Sequence, residues 1–169
     1  MIPKITKDFH LSADARSYIG LIQNFEAPKL TKKTEDLSNG GSGGVIEVDM
    51  GFDKLSCSWT ANEHNAQMMA LFGIADMQGV LLRVALAVEN NMPGTAAEPV
   101  EYVLRGMVKE IDDGTTEVGK KSESKYTMSL TYYQKLVNGV PIIEIDLINY
   151  VYNVNGVDQW AARRTALGI

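Results

Sequence analysis

Asn138-Gly139 separates two long runs in which apolar and polar residues alternate, YTMSLTYYQKLV (126–137) and VPIIEIDLINYVYNV (140–154). Asn and Gly both tolerate positive φ, as a two-residue type I′ turn requires at its two central positions, so the pair predicts a β-hairpin. A loop this short sets the pairing: Val137 faces Val140, Tyr132 faces Ile145, Leu130 faces Leu147 and Thr131 faces Asp146. One face then carries Tyr126, Met128, Leu130, Tyr132, Leu136, Ile143, Ile145 and Leu147. The other carries Thr127, Ser129, Thr131, Tyr133, Lys135, Glu144 and Asp146, and is small, hydroxylated and acidic in its middle. A one-residue slip would bury that polar set, so the register is strongly specified. Beyond Leu147 the apolar parity moves to Ile148, Tyr150, Tyr152 and Val154, which predicts a β-bulge near 147–149.

The rest of the chain is expected to build a single domain, 1–169, around this hairpin. A length of 169 residues suffices for a core without staples. The net charge of −5 argues against a general nucleic-acid binder, whose affinity comes from Lys and Arg neutralising phosphates. Cys57, the one cysteine, cannot form an internal disulfide. MIPKITKDFHLS lacks an apolar signal region, and no run approaches the ~18 residues of a membrane span. A cytoplasmic site of synthesis follows as the expectation.

Residues 1–16 show no clear period. SYIGLIQ (17–23) reads as a short strand. The Gly-rich Asn39-Gly-Gly-Ser-Gly-Gly44 gains little from burial and loses much backbone entropy on ordering, so 27–44 is expected to be a long mobile loop. Loops longer than about 12–15 residues tend to be functional or disordered. A strand follows at 45–50, with Ile46, Val48 and Met50 on one face. Leu55, Cys57 and Trp59 predict the buried side of the next strand. Thr60-Ala-Asn-Glu63 matches a capping box for a helix over about 61–72, with Asn62 as an alternative cap and Gly73 as its end. Strands are predicted at 80–88 and 100–111, a charged loop at 112–125, and a helical turn or more in the tail after Trp160. The predicted class is therefore mainly β, an antiparallel sandwich or barrel with one flanking helix.

The chemical motifs are weak. Gly114-Thr-Thr-Glu-Val-Gly-Lys120-Lys121 approaches a phosphate-binding loop, but Lys121 stands where a metal-binding hydroxyl is needed, and a strand follows instead of a helix. His10 and His64 have no ligand partners at metal-site spacing. Cys57 lies on the apolar side of its strand, where a buried inert thiol is expected. Glu144 and Asp146 sit roughly 7 Å apart along one strand face, a spacing that suits a wet surface as well as acid–base work. No catalytic, cofactor or metal site is predicted. A carbohydrate-binding sandwich remains an alternative, with the hairpin tyrosines as the only aromatic platform.

Several segments stand together in order: Ala27-Pro-Lys-Leu-Thr-Lys-Lys-Thr-Glu35, Val48-Asp-Met-Gly-Phe-Asp-Lys-Leu55, Leu104-Arg-Gly-Met-Val-Lys-Glu-Ile-Asp112, Lys121-Ser-Glu-Ser-Lys125, Val137-Asn-Gly-Val-Pro-Ile-Ile-Glu-Ile-Asp146 and Asn155-Gly-Val-Asp158. Over nearly its full length the chain resembles the major tail tube proteins of contractile-tailed bacteriophages, the FII type. The resemblance implies a β-sandwich with a flanking helix, assembled as hexameric rings that stack into a tube inside a sheath. Such a tube houses the tape-measure protein and then conducts the genome, without cofactor or catalysis. It is assembled in the host cytoplasm and ends in the virion. Tube subunits of phage-tail-like bacteriocins and contractile secretion systems are the alternative within this class. On this footing Thr127, Ser129, Thr131, Glu144 and Asp146 are expected to face the lumen. The segment containing Lys29, Lys32, Lys33, Gly40, Gly41, Gly43 and Gly44 is expected to reach a neighbouring subunit.

Overall fold

The computed structural model describes residues 2–41 and 43–169; Met1, in the polar N-terminal stretch, and Ser42, in the Gly-rich segment, lie outside the described residues. In chain order the elements are β1 (Ile5–Ala13), β2 (Arg16–Ser17), β3 (Ile22–Glu26), β4 (Lys32–Leu37), β5 (Ile46–Phe52) and β6 (Leu55–Ala61). Then come α1 (Ala66–Met69), which runs into a 3₁₀ turn (Ala70–Gly73), β7 (Val80–Glu89), β8 (Glu98–Asp112) and β9 (Ser124–Val137). The chain closes with β10 (Val140–Asp146), β11 (Val151–Val154), β12 (Val157–Asp158) and α2 (Ala161–Leu167).

β9 is the spine of the fold. One of its edges pairs with β8 along nearly the whole strand. Its other edge pairs with β6 from Ser124 to Leu130 and with β10 from Tyr132 to Val137. Thr131 stands at the changeover. The sheet therefore divides into a β6–β3 limb and a β10–β11–β12 limb, while β8 continues on the far side through β7 to β1 and β2. Both limbs supply the same core. Leu55, Cys57 and Trp59 of β6 pack in one cluster with Leu11 of β1, Leu82 and Val84 of β7, and Ile145 of β10. Phe25 of β3 meets Tyr102 of β8 at 5.9 Å between ring centres, although β6 and β9 lie between them in the sheet. Only a sheet bent over on itself permits that contact, and the class is the expected mainly antiparallel sandwich.

The bend needs a glycine. The β8–β9 ladder slips between Arg105 and Gly106, where Gly106 faces Leu130 and Thr131 is passed over. A Cβ at Gly106 would lie 1.9 Å from the Ser129 carbonyl oxygen, so a side chain there would drive the two backbones apart. Four residues along β9 from Leu130 the core is aromatic. Trp59 and Tyr126 are register partners whose rings stack at 5.5 Å, and the Trp59 Nε1–H donates to Met68 Sδ at 3.3 Å. Met68, which receives that bond, is fully buried.

Several sequence expectations change. The hairpin keeps its type I′ turn, with positive φ at Asn138 and Gly139, but not its register. Proline at 141 cannot donate to the ladder, and β10 bulges between Pro141 and Ile143, which shifts every later pair by one. Ile145 faces Tyr133 instead of Tyr132, and Asp146 faces Tyr132 instead of Thr131. Tyr133 consequently enters the core and Tyr132 leaves it. The parity change after Leu147 is a reversal, not a bulge: residues 147–150 turn, with Tyr150 at φ +57°, and β11 doubles back on β10. The helix of 61–72 shortens because Thr60 and Ala61 are still paired in β6 with Lys125 and Ser124. The capping box cannot form there, and Asn65 caps instead, its side chain accepting from the amides of Gln67 and Met68 at 3.0 and 3.1 Å. The predicted strand at 17–23 splits into β2, a turn and β3. The stretch without period contains β1, whose first four residues are exposed on both faces and so carry no alternation.

Candidate assembly surfaces

The five residues expected to face the lumen are not part of the hydrophobic core, although Asp146 is buried, and the bend at Thr131 sets them in different surroundings. Thr127 and Ser129 project from the β6–β9 limb beside their register partners Ser58 and Ser56. The Ser58 hydroxyl donates to Glu26 at 2.9 Å. Ser56, Ser58, Thr127, Glu26 and Lys125 line a shallow cleft of about 390 Å³. Thr131 itself donates through Oγ1 to the Met77 carbonyl at 3.1 Å and ties the bend to the segment before β7.

The two carboxylates differ from a free acidic pair. Glu144 accepts from the Tyr132 hydroxyl at 3.0 Å and from Asn153 Nδ2 at 3.1 Å, and stays partly exposed. Burial, then the hydrogen bond to this carboxylate, pushes the Tyr132 phenol above its ordinary range, so it remains a donor. Asp146 is buried at 8% exposure and takes three hydrogen bonds: the amides of Ile148 and Asn149 at 3.0 Å each, and Asn149 Nδ2 at 2.7 Å. It shapes the β10–β11 turn and offers little charge to solvent. Arg105 lies across the register from Tyr132, so this part of the face is not purely acidic.

The predicted mobile loop of 27–44 is in large part a β-ribbon. β4 pairs with β5 from Lys32↔Phe52 to Leu37↔Ile46, with one bulge near Lys33. The Gly-rich segment with Gly40, Gly41, Gly43 and Gly44 is only the connection at its tip, and Lys29 precedes the ribbon. Lys32 pairs with Asp49 at 2.9 Å, and the shared hydrogen bond raises the lysine pKa and lowers that of the aspartate. Every residue of β4 is exposed. Ile46, Val48 and Met50 share one face with Leu37, all of them 41–56% exposed. Glu35, opposite Val48, shares that face, and sequence parity did not reveal that no described residue of the same chain covers it.

A clamp that the sequence did not reveal holds the root of the ribbon. Phe52 meets Tyr152 edge-on at 4.8 Å and Trp160 at 5.7 Å, while Trp160 stacks on Tyr150 at 4.6 Å. Four aromatic side chains from β5, the β10–β11 turn, β11 and the start of α2 thus converge. Scattered aromatics in the last fifth of the chain were the only available signal.

No arrangement among the described residues suggests chemistry. Ser124, His64 and Asp113 are adjacent, but the buried Ser124 hydroxyl lies between the other two. It donates to Asp113 at 2.8 Å and sits 3.2 Å from His64 Nδ1. A hydrolytic relay needs the histidine in the middle and the hydroxyl open to substrate, so this trio is a clasp between the β6–α1 and β8–β9 connections. Burial pushes the Cys57 thiol up to about 12, which keeps it protonated and unreactive. The hairpin tyrosines form no sugar platform: Tyr126 and Tyr133 are buried, and Tyr132 is engaged with Glu144. No group of acidic, histidine or cysteine side chains that could hold a metal occurs among the described residues.

The family model for phage tail tube protein FII matches residues 3–168. The tail tube protein of Escherichia phage P2 is 32% identical over 171 residues, covering 99% of each chain. The major tail tube protein of Serratia phage KSP20 is also 32% identical over 171 residues, covering 99% of this chain and 98% of its own. Among solved structures, the tube-terminating cap of the anti-feeding prophage superposes with a TM-score of 0.61 at 10% identity, over 80% of this chain and 92% of its own. A sheath–tube complex of an extracellular contractile injection system gives 0.57 at 8% identity, over 76% and 87%. These two likenesses concern the fold.

The turn that Asp146 holds is open to a direct test. Asp146→Ala removes three hydrogen bonds, two of them to backbone amides, and is expected to lower unfolding stability by about 2–3 kcal/mol in urea titration. A change within the error of the measurement would show that solvent replaces those bonds.

Proposed function

The chain belongs to the phage tail tube protein FII family and is a structural protein of a tail tube; on that premise we propose that copies of it close into hexameric rings stacked inside a contractile sheath. The whole chain, 1–169, acts as one tube-subunit domain. The tube holds the tape-measure protein during assembly in the host cytoplasm and passes the genome from the finished virion. It catalyses nothing and needs no cofactor.

The β4–β5 ribbon is the observation that carries the assembly reading. Isolated two-stranded ribbons are at best marginally stable in water, and this one leaves an apolar row uncovered. A neighbouring copy supplies the missing cover. The contact is heterologous, because the ribbon meets a different surface on the neighbour, and such contacts repeat along an open axis. Lys29, Lys32, Lys33 and the glycines at 40, 41, 43 and 44 belong to this reaching element. A tube of a phage-tail-like bacteriocin or secretion system would use the same device.

The outward face with Thr127, Ser129, Thr131, Glu144 and Asp146 is proposed as lumen wall. Its small hydroxyls give a polyanion little to bind, with Arg105 and Lys125 the exposed cations beside them. Thr131 and Asp146 serve there by shaping the bend and the turn.

Two outcomes follow. Ile46→Lys with Val48→Lys should leave circular dichroism and the urea midpoint near those of the unaltered protein while abolishing tubes in negative-stain microscopy; normal tubes would remove the ribbon from assembly. Thr127→Lys with Ser129→Lys should leave tubes intact and lower genome delivery per particle at least tenfold. Undiminished delivery would place the lumen on another face.

A further inference from the structure

Asn-Gly occurs three times in the chain, at 39–40, 138–139 and 155–156. Asparagine is chemically labile, and most so before glycine, which has no Cβ to crowd an attack by its own backbone nitrogen on the preceding side-chain amide. That attack closes a five-membered ring through the asparagine Cγ. It needs the intervening peptide to swing until the glycine nitrogen lies over that carbon, so the fold decides which of the three sites can react.

Two of the three are held. Asn138 and Gly139 take φ of +52° and +76°, and Asn155 and Gly156 take +49° and +78°. Each pair is a two-residue turn closed by ladder partners, Val137↔Val140 in one and Val154↔Val157 in the other. The Asn138 amide donates to the Pro99 carbonyl at 2.9 Å, and the Asn155 amide to the Ile142 carbonyl at 2.8 Å. Swinging the central peptide while the asparagine keeps its positive φ converts a type I′ turn to type II′, whose first position is a glycine position. The hairpins therefore keep Gly139 and Gly156 from the adjacent side-chain carbon.

Asn39 lies in no such turn. Its φ is not positive, and the nearest ladder pair is Leu37↔Ile46, which leaves 38–45 as the connection at the ribbon tip. Asn39 and Gly40 are both exposed, and a Cβ at Gly40 would meet nothing within 4 Å. Water reaches the dipeptide, and its peptide can turn without breaking a ladder bond.

We infer that Asn39 is a site of spontaneous covalent modification in the folded subunit, deamidating through a succinimide while Asn138 and Asn155 persist. The Gly40 backbone nitrogen gives its proton to water or hydroxide and attacks Asn39 Cγ. The new N–C bond forms as the bond from Cγ to the side-chain nitrogen breaks, and that nitrogen leaves as ammonia. Water then opens the ring. Cleavage between the Gly40 nitrogen and Cγ gives aspartate; cleavage between that nitrogen and the backbone carbonyl carbon gives isoaspartate, with the chain running through the side chain. One water is taken up and one ammonia released, with no oxidant and no enzyme. Each conversion adds a negative charge to the tip of a ribbon that already carries Glu35, Asp36, Glu47 and Asp49 against Lys32 and Lys33. The tip grows more acidic as the subunit ages.

The test incubates the folded, unaltered protein at mildly alkaline pH and follows its tryptic peptides by mass spectrometry, with isoaspartyl methyltransferase labelling of the same digests. Cleavage after Lys33 and Lys54 releases a peptide in which Asn39 is the only asparagine, separate from the one that carries Asn138 and Asn155. Deamidation at Asn39 is expected to run about tenfold or more faster than at either turn, whereas in urea-unfolded protein the three sites should agree within about threefold. Gly40→Ala fits the open backbone there and should slow the loss at Asn39 about tenfold with circular dichroism unchanged. An Asn39 that stays intact, equal rates at the three sites in the folded protein, faster loss at Asn138 or Asn155, or a Gly40→Ala variant that reacts as fast as the unaltered protein would each overturn the inference.

Discussion

Everything in this subunit depends on the edge of β9 that changes partners at Thr131. A strand paired with one neighbour along its whole length would extend a flat sheet with two exposed faces. Here β6 takes the first half of the edge and β10 the second, with β9 itself bulged against β8 at the changeover. The sheet must bend, and bending brings β6 and β7 onto one core. The close approach at Gly106 and the hydrogen bond from Thr131 to Met77 are both consequences of that geometry. The stacked Trp59–Tyr126 pair fills the core four residues along β9 from Leu130, with Met68 against the indole.

The same core leaves one element out. β4 and β5 form a ribbon fixed at its root by Phe52 and exposed beyond it. A subunit that must remain soluble before assembly and bind tightly afterwards faces opposing demands. Grouping Leu37, Ile46, Val48 and Met50 on one face of a narrow ribbon, with Asp36, Glu47 and Asp49 on the other, is a compromise between them. On the proposed assembly, the core serves folding and the ribbon serves association.

The patterns that were readable in the sequence are those set by local chemistry. The Asn138-Gly139 turn, the buried row Leu55–Cys57–Trp59 and the close at Gly73 each follow from a few adjacent residues. The hairpin register was not readable, because Pro141 shows that a ladder bond is missing but not which residue slips out. The bulge at Thr131 depends on where β6 gives way to β10, which is a fact about distant segments. β4 was hidden for the opposite reason. KKTEDL has no apolar period because neither of its faces is buried within the subunit. At the candidate site, alternation located Glu144 and Asp146 on the outward side. Only the fold shows that Asp146 is consumed by the 147–150 turn while Glu144 stays at the surface.

Amide hydrogen exchange, compared between dilute subunits and assembled tubes, tests the division between folded core and waiting ribbon most directly. Amides of Met128 and Leu130 in β9 should be protected in both states. Those of Thr34–Asp36 and Glu47–Asp49 should exchange quickly in the subunit and at least a hundredfold more slowly in the tube. Equal protection of the ribbon in both states would contradict the account, since it would mean that the ribbon is complete without its neighbour.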